Sequence, residues 1–189
     1  RRVSYYRVAS SHIRRELLTA NNEVIKQLAR DLVSTDDKAT GKLTVEIKEM
    51  KHVLFKNFDD VEFNSNTYYE PSWRTLESID SLFVIGEILY LVQITFSPDH
   101  PLKTAGMRRV WRAAKKKVPA LEGYCVIFAI PDLSAKKGQD LVAKFKYQPY
   151  KQTTGNPVDY SRAPFKFEKG QYLHVLPDSI LDCSDGEQV

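Results

Sequence analysis

Cysteine is scarce in this chain, which has two in 189 residues. Cys125 lies in an apolar run and Cys183 in a polar segment near the end of the sequence. Two cysteines so placed provide no disulfide framework, and no cysteine or histidine spacing typical of a zinc site is present. The sequence therefore predicts a protein that works in a reducing compartment.

Long hydrophobic runs are also missing. The most apolar stretch, residues 79–96, is interrupted by Asp80, Gly86, Glu87 and Gln93, which excludes a membrane helix and predicts no membrane partner. No signal peptide is visible. The sequence has no P-loop, no nucleophile elbow and no dinucleotide-binding glycine pattern, so NTP hydrolysis by this chain is not expected.

Size and composition indicate a folded domain. Hydrophobic residues make up 42% and aromatic residues 11% of the chain, enough to build a core. The net charge of +4 is small, so the choice of partner depends on where the charge lies. Because the chain starts at Arg1 and not at Met, we expect it to be the C-terminal part of a longer protein. We predict a helical lead-in over residues 1–34, packed on a core formed by residues 35–189.

Hydrophobic periodicity predicts an α/β fold with a mixed sheet. In chain order, the predicted elements are a helix over 10–33, or two helices divided at Asn21-Asn22, a helix over 43–55, strands at 66–69, 79–85 and 88–96, a basic helix over 102–118, a strand at 123–130, a short helix over 134–145, a long loop over 147–169 and a strand at 172–176.

A hairpin is the best-defined predicted feature. Two apolar runs are separated by Gly86 and Glu87 alone, and glycine at the first central position is typical of a type II′ turn. This turn pairs residues whose numbers add up to 173, so Asp80 is predicted to face Gln93. Directly opposed Cβ atoms lie roughly 5 Å apart. The two side chains are then placed either to hydrogen-bond to each other or to share one hard cation such as Mg²⁺.

The stretch that carries this hairpin resembles a known module. Its Ile79-Asp80-Ser81, Gln93-Ile94-Thr95 and His100-Pro101 segments are similar to the restriction-endonuclease-like module at the C-terminus of Crinkler effectors and of the related retrotransposon-hot-spot proteins. The similarity extends over most of residues 8–131. It implies a PD-(D/E)XK-type core, an upstream NTPase-like domain in the full-length protein, secretion by the producing organism and action in a host nucleus.

The resemblance also assigns roles to individual residues. It makes Glu46 the helix acid and Asp80 the strand acid, while Gln93 stands at the second acid position and Thr95 at the lysine position. Glu46, Asp80 and Gln93 would hold the metal. Gln93 offers a neutral oxygen in place of a carboxylate, and Thr95 cannot supply an ammonium group to the developing phosphorane. Basic groups available to replace that lysine, or else simply solvated, are those of Lys48, His100 and Lys103.

The predicted helix after the hairpin is strongly basic. It carries seven cations and no acid between residues 103 and 117, and all seven are candidate contacts to nucleic acid: Lys103, Arg108, Arg109, Arg112, Lys115, Lys116 and Lys117. Four of them, at 108, 112, 115 and 116, share one helix face. Such a stripe can neutralise phosphates, and Trp111 could add base stacking. The ordinary alternative is a solvated helix face.

Together these patterns predict a nuclease-fold effector domain that binds nucleic acid, with DNA as the expected partner, and cleaves it with Mg²⁺ if activity is retained. Two alternatives stay open. One is a degenerate nuclease fold that only binds DNA or a host nuclear protein, and the other is a domain that docks on its own upstream domain or on a partner protein.

The histidines His12, His52 and His174 have no partner at metal-ligand spacing in the sequence.

Overall fold

The computed structural model describes residues 23–28, 42–45, 50–72, 79–131, 141–152 and 158–176. In chain order its elements are β1 (Glu23–Leu28), β2 (Lys42–Val45), β3 (Lys51–Phe55), β4 (Thr67–Pro71), β5 (Ser81–Ile85), β6 (Ile88–Ile94), β7 (Leu102–Lys103), α1 (Thr104–Lys117), β8 (Gly123–Pro131), α2 (Leu141–Lys144), β9 (Tyr150–Lys151) and β10 (Glu168–Leu176), with 3₁₀ turns at Phe58–Asp60 and Phe165–Phe167.

Within that described part, one mixed sheet of eight strands dominates the fold, in the order β2-β1-β10-β8-β6-β5-β4-β3. Strands β6, β8 and β10 are parallel neighbours, whereas β5 is antiparallel to both β6 and β4. A parallel pair needs a crossover connection, and α1 provides it between β6 and β8. The predicted α/β class with a mixed sheet is therefore confirmed.

Helix α1 packs one side of this sheet. Its buried residues Met107, Val110 and Ala114 belong to a core cluster that includes Leu82 and Leu91. These positions recur at helical spacing on α1 and at alternate positions along the strands, as burial of one face of each element requires. The basic residues of α1 are consequently held on the side away from the sheet.

Two predicted helices are wrong in the part that the structure describes. Residues 23–28 form β1, which pairs with β2 and β10, and residues 51–55 form β3, which pairs in parallel with β4. Lys42–Val45 is likewise a strand. These segments are rich in Val, Ile and Thr, which favour strands, and tertiary pairing outweighs their approximate helical spacing. Met50, also in the second predicted helix, is buried and belongs to neither a helix nor a strand, and the remainder of both predicted helices lies outside the described residues.

The later elements follow their predictions more closely. The hairpin strands, the basic helix and the strand starting at Gly123 are confirmed. The last strand begins at Glu168, four residues before its predicted start, and a two-residue strand interrupts the predicted loop at Tyr150. No helix in the described ranges is both long and apolar enough to span a membrane.

Candidate functional site

The hairpin has the register that its turn predicts. Ile85 pairs with Ile88, and the pairing continues to Ser81 opposite Val92. Gly86 has φ of +58° while Glu87 does not have a positive φ, which is the pattern of a type II′ turn. The next pair in this register would be Asp80 with Gln93.

A bulge modifies that last step. The backbone amide of Asp80 donates to the carbonyl of Val92 at 2.8 Å, although Val92 is already the partner of Ser81. Asp80 and Ser81 therefore both face Val92 of β6. Such a bulge locally bends the strand and redirects the side chain of Asp80. The Asp80 carboxylate comes to lie beside the end of β6.

Asp80 and Gln93 contact each other directly. Gln93 Nε2 donates to Asp80 Oδ2 at 2.8 Å, and the backbone N–H of Ile94 donates to the same oxygen at 2.7 Å. Of the two arrangements that the sequence allowed, the structure therefore contains the direct hydrogen bond. The two side chains are brought together, as predicted, in a site whose glutamine is only 6% exposed.

The electrostatics of Asp80 are perturbed. Burial raises the pKa of its carboxyl from 3.8 to about 6, against the opposing effect of the hydrogen bond from the Ile94 amide, and the nearby Glu70 carboxylate raises this pKa further. Buried acids with perturbed pKa values are enriched at functional sites, although structural networks also produce them.

Glu70 is a neighbour that the sequence did not indicate. It lies on β4, one residue beyond the pair of Tyr69 with Leu82, and its carboxylate lies 3.1 Å from the imidazole of His52 on β3. The predicted strand at 66–69 ends just before Glu70, and the antiparallel pairing with β5 that brings Glu70 near Asp80 was not predicted. His52 thus has an acidic partner.

The site has oxygens that suit a hard cation, though not in their present orientation. Gln93 Nε2 lies 2.8 Å from Asp80 Oδ2 and 3.1 Å from the Ile94 carbonyl, while Gln93 Oε1 is buried and has no hydrogen-bond partner among the described residues. Rotating the Gln93 amide by half a turn would direct Oε1 toward Asp80 Oδ2 and the Ile94 carbonyl oxygen. Only a proton or a cation could then relieve the repulsion among the three oxygens.

The other predicted members of the site either make other contacts or lie outside the described residues. Glu46 and Lys48 lie outside the described residues, and across the described ranges no group of three acidic, histidine or cysteine side chains could hold a metal ion. Thr95 is buried and accepts a hydrogen bond from the Ser97 amide. The backbone N–H of His100 donates to Gln148, and burial lowers the pKa of the His100 imidazole.

The seven cations of the basic helix have different surroundings. Four of them, Arg108, Arg109, Arg112 and Lys116, line a groove of about 590 Å³ between α1 and the turn at 57–59, which we call the cationic groove. Within the described part of the chain none of the four forms an ion pair.

The remaining cations make contacts within the chain. Lys115 donates to the carbonyls of Pro119 and Leu121 past the end of α1, at 2.7 Å to the latter. Lys117 pairs with Glu62 at 2.9 Å, and Lys103 lies in β7. These bonds favour a structural role for Lys115 in particular, because its ammonium holds the segment after α1 against the end of the helix.

Aromatic rings position two of the groove arginines. The guanidinium of Arg108 lies 5.4 Å from the centre of the Phe165 ring, and that of Arg109 lies 5.6 Å from the centre of Phe58. Such stacking leaves the edge N–H groups available to a ligand. The suggested stacking role of Trp111 is wrong, since its ring is 5% exposed and packs against other aromatic rings in the core.

Comparison with known proteins adds no identification: no family model, curated protein or solved structure matches this chain.

Proposed function

We propose that this domain binds nucleic acid through the cationic groove, on a restriction-endonuclease-like core. The observation that carries the proposal is the placement of Arg108, Arg109, Arg112 and Lys116 along one open groove without ion-pair partners among the described residues. Holding four like charges together is unfavourable unless an anion neutralises them. A nucleic-acid backbone supplies phosphates at a spacing that one helix face can follow.

The proposal predicts how the affinity for nucleic acid depends on salt concentration. If each of the four cations neutralises one phosphate, log Kd rises with log salt at a slope of about 3.6 for duplex DNA and about 2.8 for a single strand. Between 50 and 200 mM salt, affinity for duplex DNA then falls about a hundredfold.

Charge reversal tests the interface. Arg112→Glu should weaken binding of a labelled oligonucleotide at 50 mM salt by more than tenfold and lower the salt slope, as measured by fluorescence anisotropy. Lys169→Glu makes the same change in charge on an exposed residue of β10 that does not line the groove, so it should leave both quantities nearly unchanged. Equal losses in the two variants would show that only net charge matters and would refute the groove as the interface.

A second candidate function is Mg²⁺-dependent phosphodiester cleavage at Asp80. It is supported by the raised pKa of this carboxyl and by the buried Gln93 Oε1 beside it, which has no hydrogen-bond partner among the residues that the structure describes. Asp80, Gln93 and the Ile94 carbonyl would hold the ion, with Glu46 as a further ligand implied by the resemblance. When bound, the ion would activate water and neutralise charge on the phosphate, while Asp80 would keep it at the end of β6.

Cleavage is tested by incubating the domain with plasmid DNA and Mg²⁺ or Mn²⁺. Asp80→Ala should abolish nicking, and Asp99→Ala, which removes an exposed acid from the following loop, should not. Equal cleavage by wild type and Asp80→Ala would remove Asp80 from the mechanism. Salt-sensitive binding with no metal-dependent cleavage would favour the degenerate fold, in which the hydrogen bond from Gln93 to Asp80 is the permanent arrangement.

The remaining expectations concern the biological setting and stay proposals. They are secretion by the producing organism, action in a host nucleus, an upstream NTPase-like domain and a host nuclear protein as an alternative partner. Negligible affinity for nucleic acid at 20 mM salt would favour the protein partner.

A further inference from the structure

Two of the four groove cations lie against aromatic rings. The guanidinium carbon of Arg109 lies 5.6 Å from the centre of the Phe58 ring, and that of Arg108 lies 5.4 Å from the centre of the Phe165 ring. The rings belong to two separate 3₁₀ turns. Because neighbouring residues point about 100° apart around a helix, each arginine can reach a different turn. The two guanidinium groups are therefore anchored independently of each other.

Both rings are held in the core. Phe58 is 6% exposed and packs against Phe55 with 5.5 Å between ring centres, and Phe165 is 2% exposed and packs against Tyr150 with 4.8 Å between ring centres. Arg109, in contrast, is exposed. A long side chain on an exposed helix face samples many rotamers, whereas a guanidinium attracted to a fixed ring is restricted to the face of that ring. The rings thus reduce the freedom of the arginines before any ligand arrives.

Arg112 and Lys116 line the same groove without this support. Both are exposed, and among the described residues neither lies over a ring or forms an ion pair. Since like charges in one groove repel one another, such side chains extend into water and must be ordered when a phosphate binds. Ordering one long side chain lowers affinity by about fivefold.

We propose that Phe58 and Phe165 are positioning residues of the nucleic-acid interface, and that each orients the guanidinium of one arginine for a backbone phosphate. This inference rests on the proposed binding of nucleic acid and divides the groove cations into two kinds. Arg108 and Arg109 bind through geometry, since a guanidinium stacked by its face keeps its edge N–H groups free for two parallel hydrogen bonds to phosphate oxygens. The other two groove cations act through charge alone.

A purely structural role of the ring contacts makes a different prediction. If the contacts only fasten the two turns to α1, losing them lowers stability and leaves the affinity of the folded protein unchanged. If they orient the guanidinium groups, affinity falls in variants that keep both their net charge and their stability. Substitutions that conserve charge therefore separate the two roles.

Replacing arginine with lysine keeps the charge and removes the planar guanidinium. With a labelled DNA duplex at 50 mM salt, Arg109→Lys and Arg108→Lys should each weaken binding by about fivefold, as measured by fluorescence anisotropy. Arg112→Lys is the matched control in the same groove and should change Kd less than about twofold. The salt slope should stay at about 3.6 in all three variants, because the number of cations is unchanged.

A double-mutant cycle tests the ring itself. Phe58→Leu should weaken binding about as much as Arg109→Lys does; adding Arg109→Lys should then cause no further loss, whereas adding Arg108→Lys should. Because Phe58 is buried, Phe58→Leu should lower the urea midpoint, so binding is measured where circular dichroism shows every variant folded. If Phe58→Leu does not fold, the comparison of lysine at positions 109 and 112 decides alone, since both positions are exposed.

Two results would overturn the inference. The first is an equal loss in Arg109→Lys and Arg112→Lys, which would show that charge alone matters at both positions. The second is a loss from Arg109→Lys that is just as large in the Phe58→Leu background, which would show that the ring does not act through this arginine. In both cases nucleic-acid binding itself survives, whereas the absence of binding to duplex and to single-stranded DNA at 20 mM salt refutes the proposed function as well.

Discussion

Replacing Asp80 with Asn should make the protein more stable at neutral pH. The carboxyl has a pKa of about 6 in the folded state, against its ordinary value of 3.8. One pKa unit corresponds to about 1.4 kcal/mol, so ionising Asp80 costs the folded state at most about 3 kcal/mol. The side chain keeps part of its surface in water, and we therefore expect 1–2 kcal/mol, roughly 2–8 °C in Tm.

The pH dependence follows from the sign of the shift. Because the folded-state pKa is raised, the folded protein binds the proton more tightly than the unfolded chain does. The stabilising contribution is complete below pH 3.8 and is lost as the pH rises through about 6. Asn carries no charge at any pH and can still accept from Ile94, so the difference between variant and wild type should grow from near zero at pH 4 to its full value at pH 7.

Urea denaturation at pH 4, 5, 6, 7 and 8 in the presence of EDTA measures this difference. Asp99→Asn changes an exposed acid close in sequence and controls for net charge. If Asp80→Asn were destabilising at pH 7, or if its effect were the same at pH 4 and pH 7, then burial would not dominate the ionisation of Asp80 and the reasoning would be refuted.

Three further predictions concern the same elements. Gln93→Glu should lower stability in EDTA by about 2 kcal/mol, because it sets two carboxylates side by side, and should restore it in Mn²⁺; equal unfolding midpoints in EDTA and Mn²⁺ would contradict a cation site. Lys115→Ala should cost about 1 kcal/mol in thermal unfolding through the lost carbonyl contacts, yet weaken oligonucleotide binding far less than Arg112→Ala does. Gly86→Ala should cost 1–2 kcal/mol, since a Cβ there meets no atom within 4 Å but φ is +58°; Tm is the measurement, and an unchanged value would contradict the turn assignment.

The hairpin and the basic helix could be predicted because their signals are local. A glycine followed by one residue between two apolar runs fixes both the turn type and the register, and with them the approach of Asp80 to Gln93. In the same way, burial of Val110 and Ala114 at helical spacing decides which cations of α1 point away from the sheet. Neither inference needs knowledge of distant parts of the chain.

The features that the sequence did not reveal depend on distant pairing. Strand β1 is held by β10, about 145 residues further along the chain, and no local pattern around Val24 shows that partner. The bulge at Asp80 and the charge of Glu70 beside it depend in the same way on strands that meet only in the folded sheet. The separation of Lys115 from the groove cations arises from carbonyls beyond the helix end, which helical periodicity does not include.

The hydrogen bond from Gln93 and a bound cation are the two interpretations of the site, and both would occupy the same position beside the Asp80 carboxylate. At pH 7 a carboxyl with a pKa of about 6 is mostly ionised, and it accepts hydrogen bonds from the neutral N–H groups of Gln93 and Ile94. The burial that makes this charge costly also favours anything that neutralises it, whether a proton or a divalent cation. A cation would displace the Gln93 N–H and turn its unpartnered oxygen inward, so metal affinity and proton affinity at Asp80 must oppose each other. Binding of Mn²⁺ that weakens as the pH falls through 6 would therefore indicate a cation site, and unfolding midpoints that are the same with and without Mn²⁺ at every pH would indicate a hydrogen bond that has replaced it.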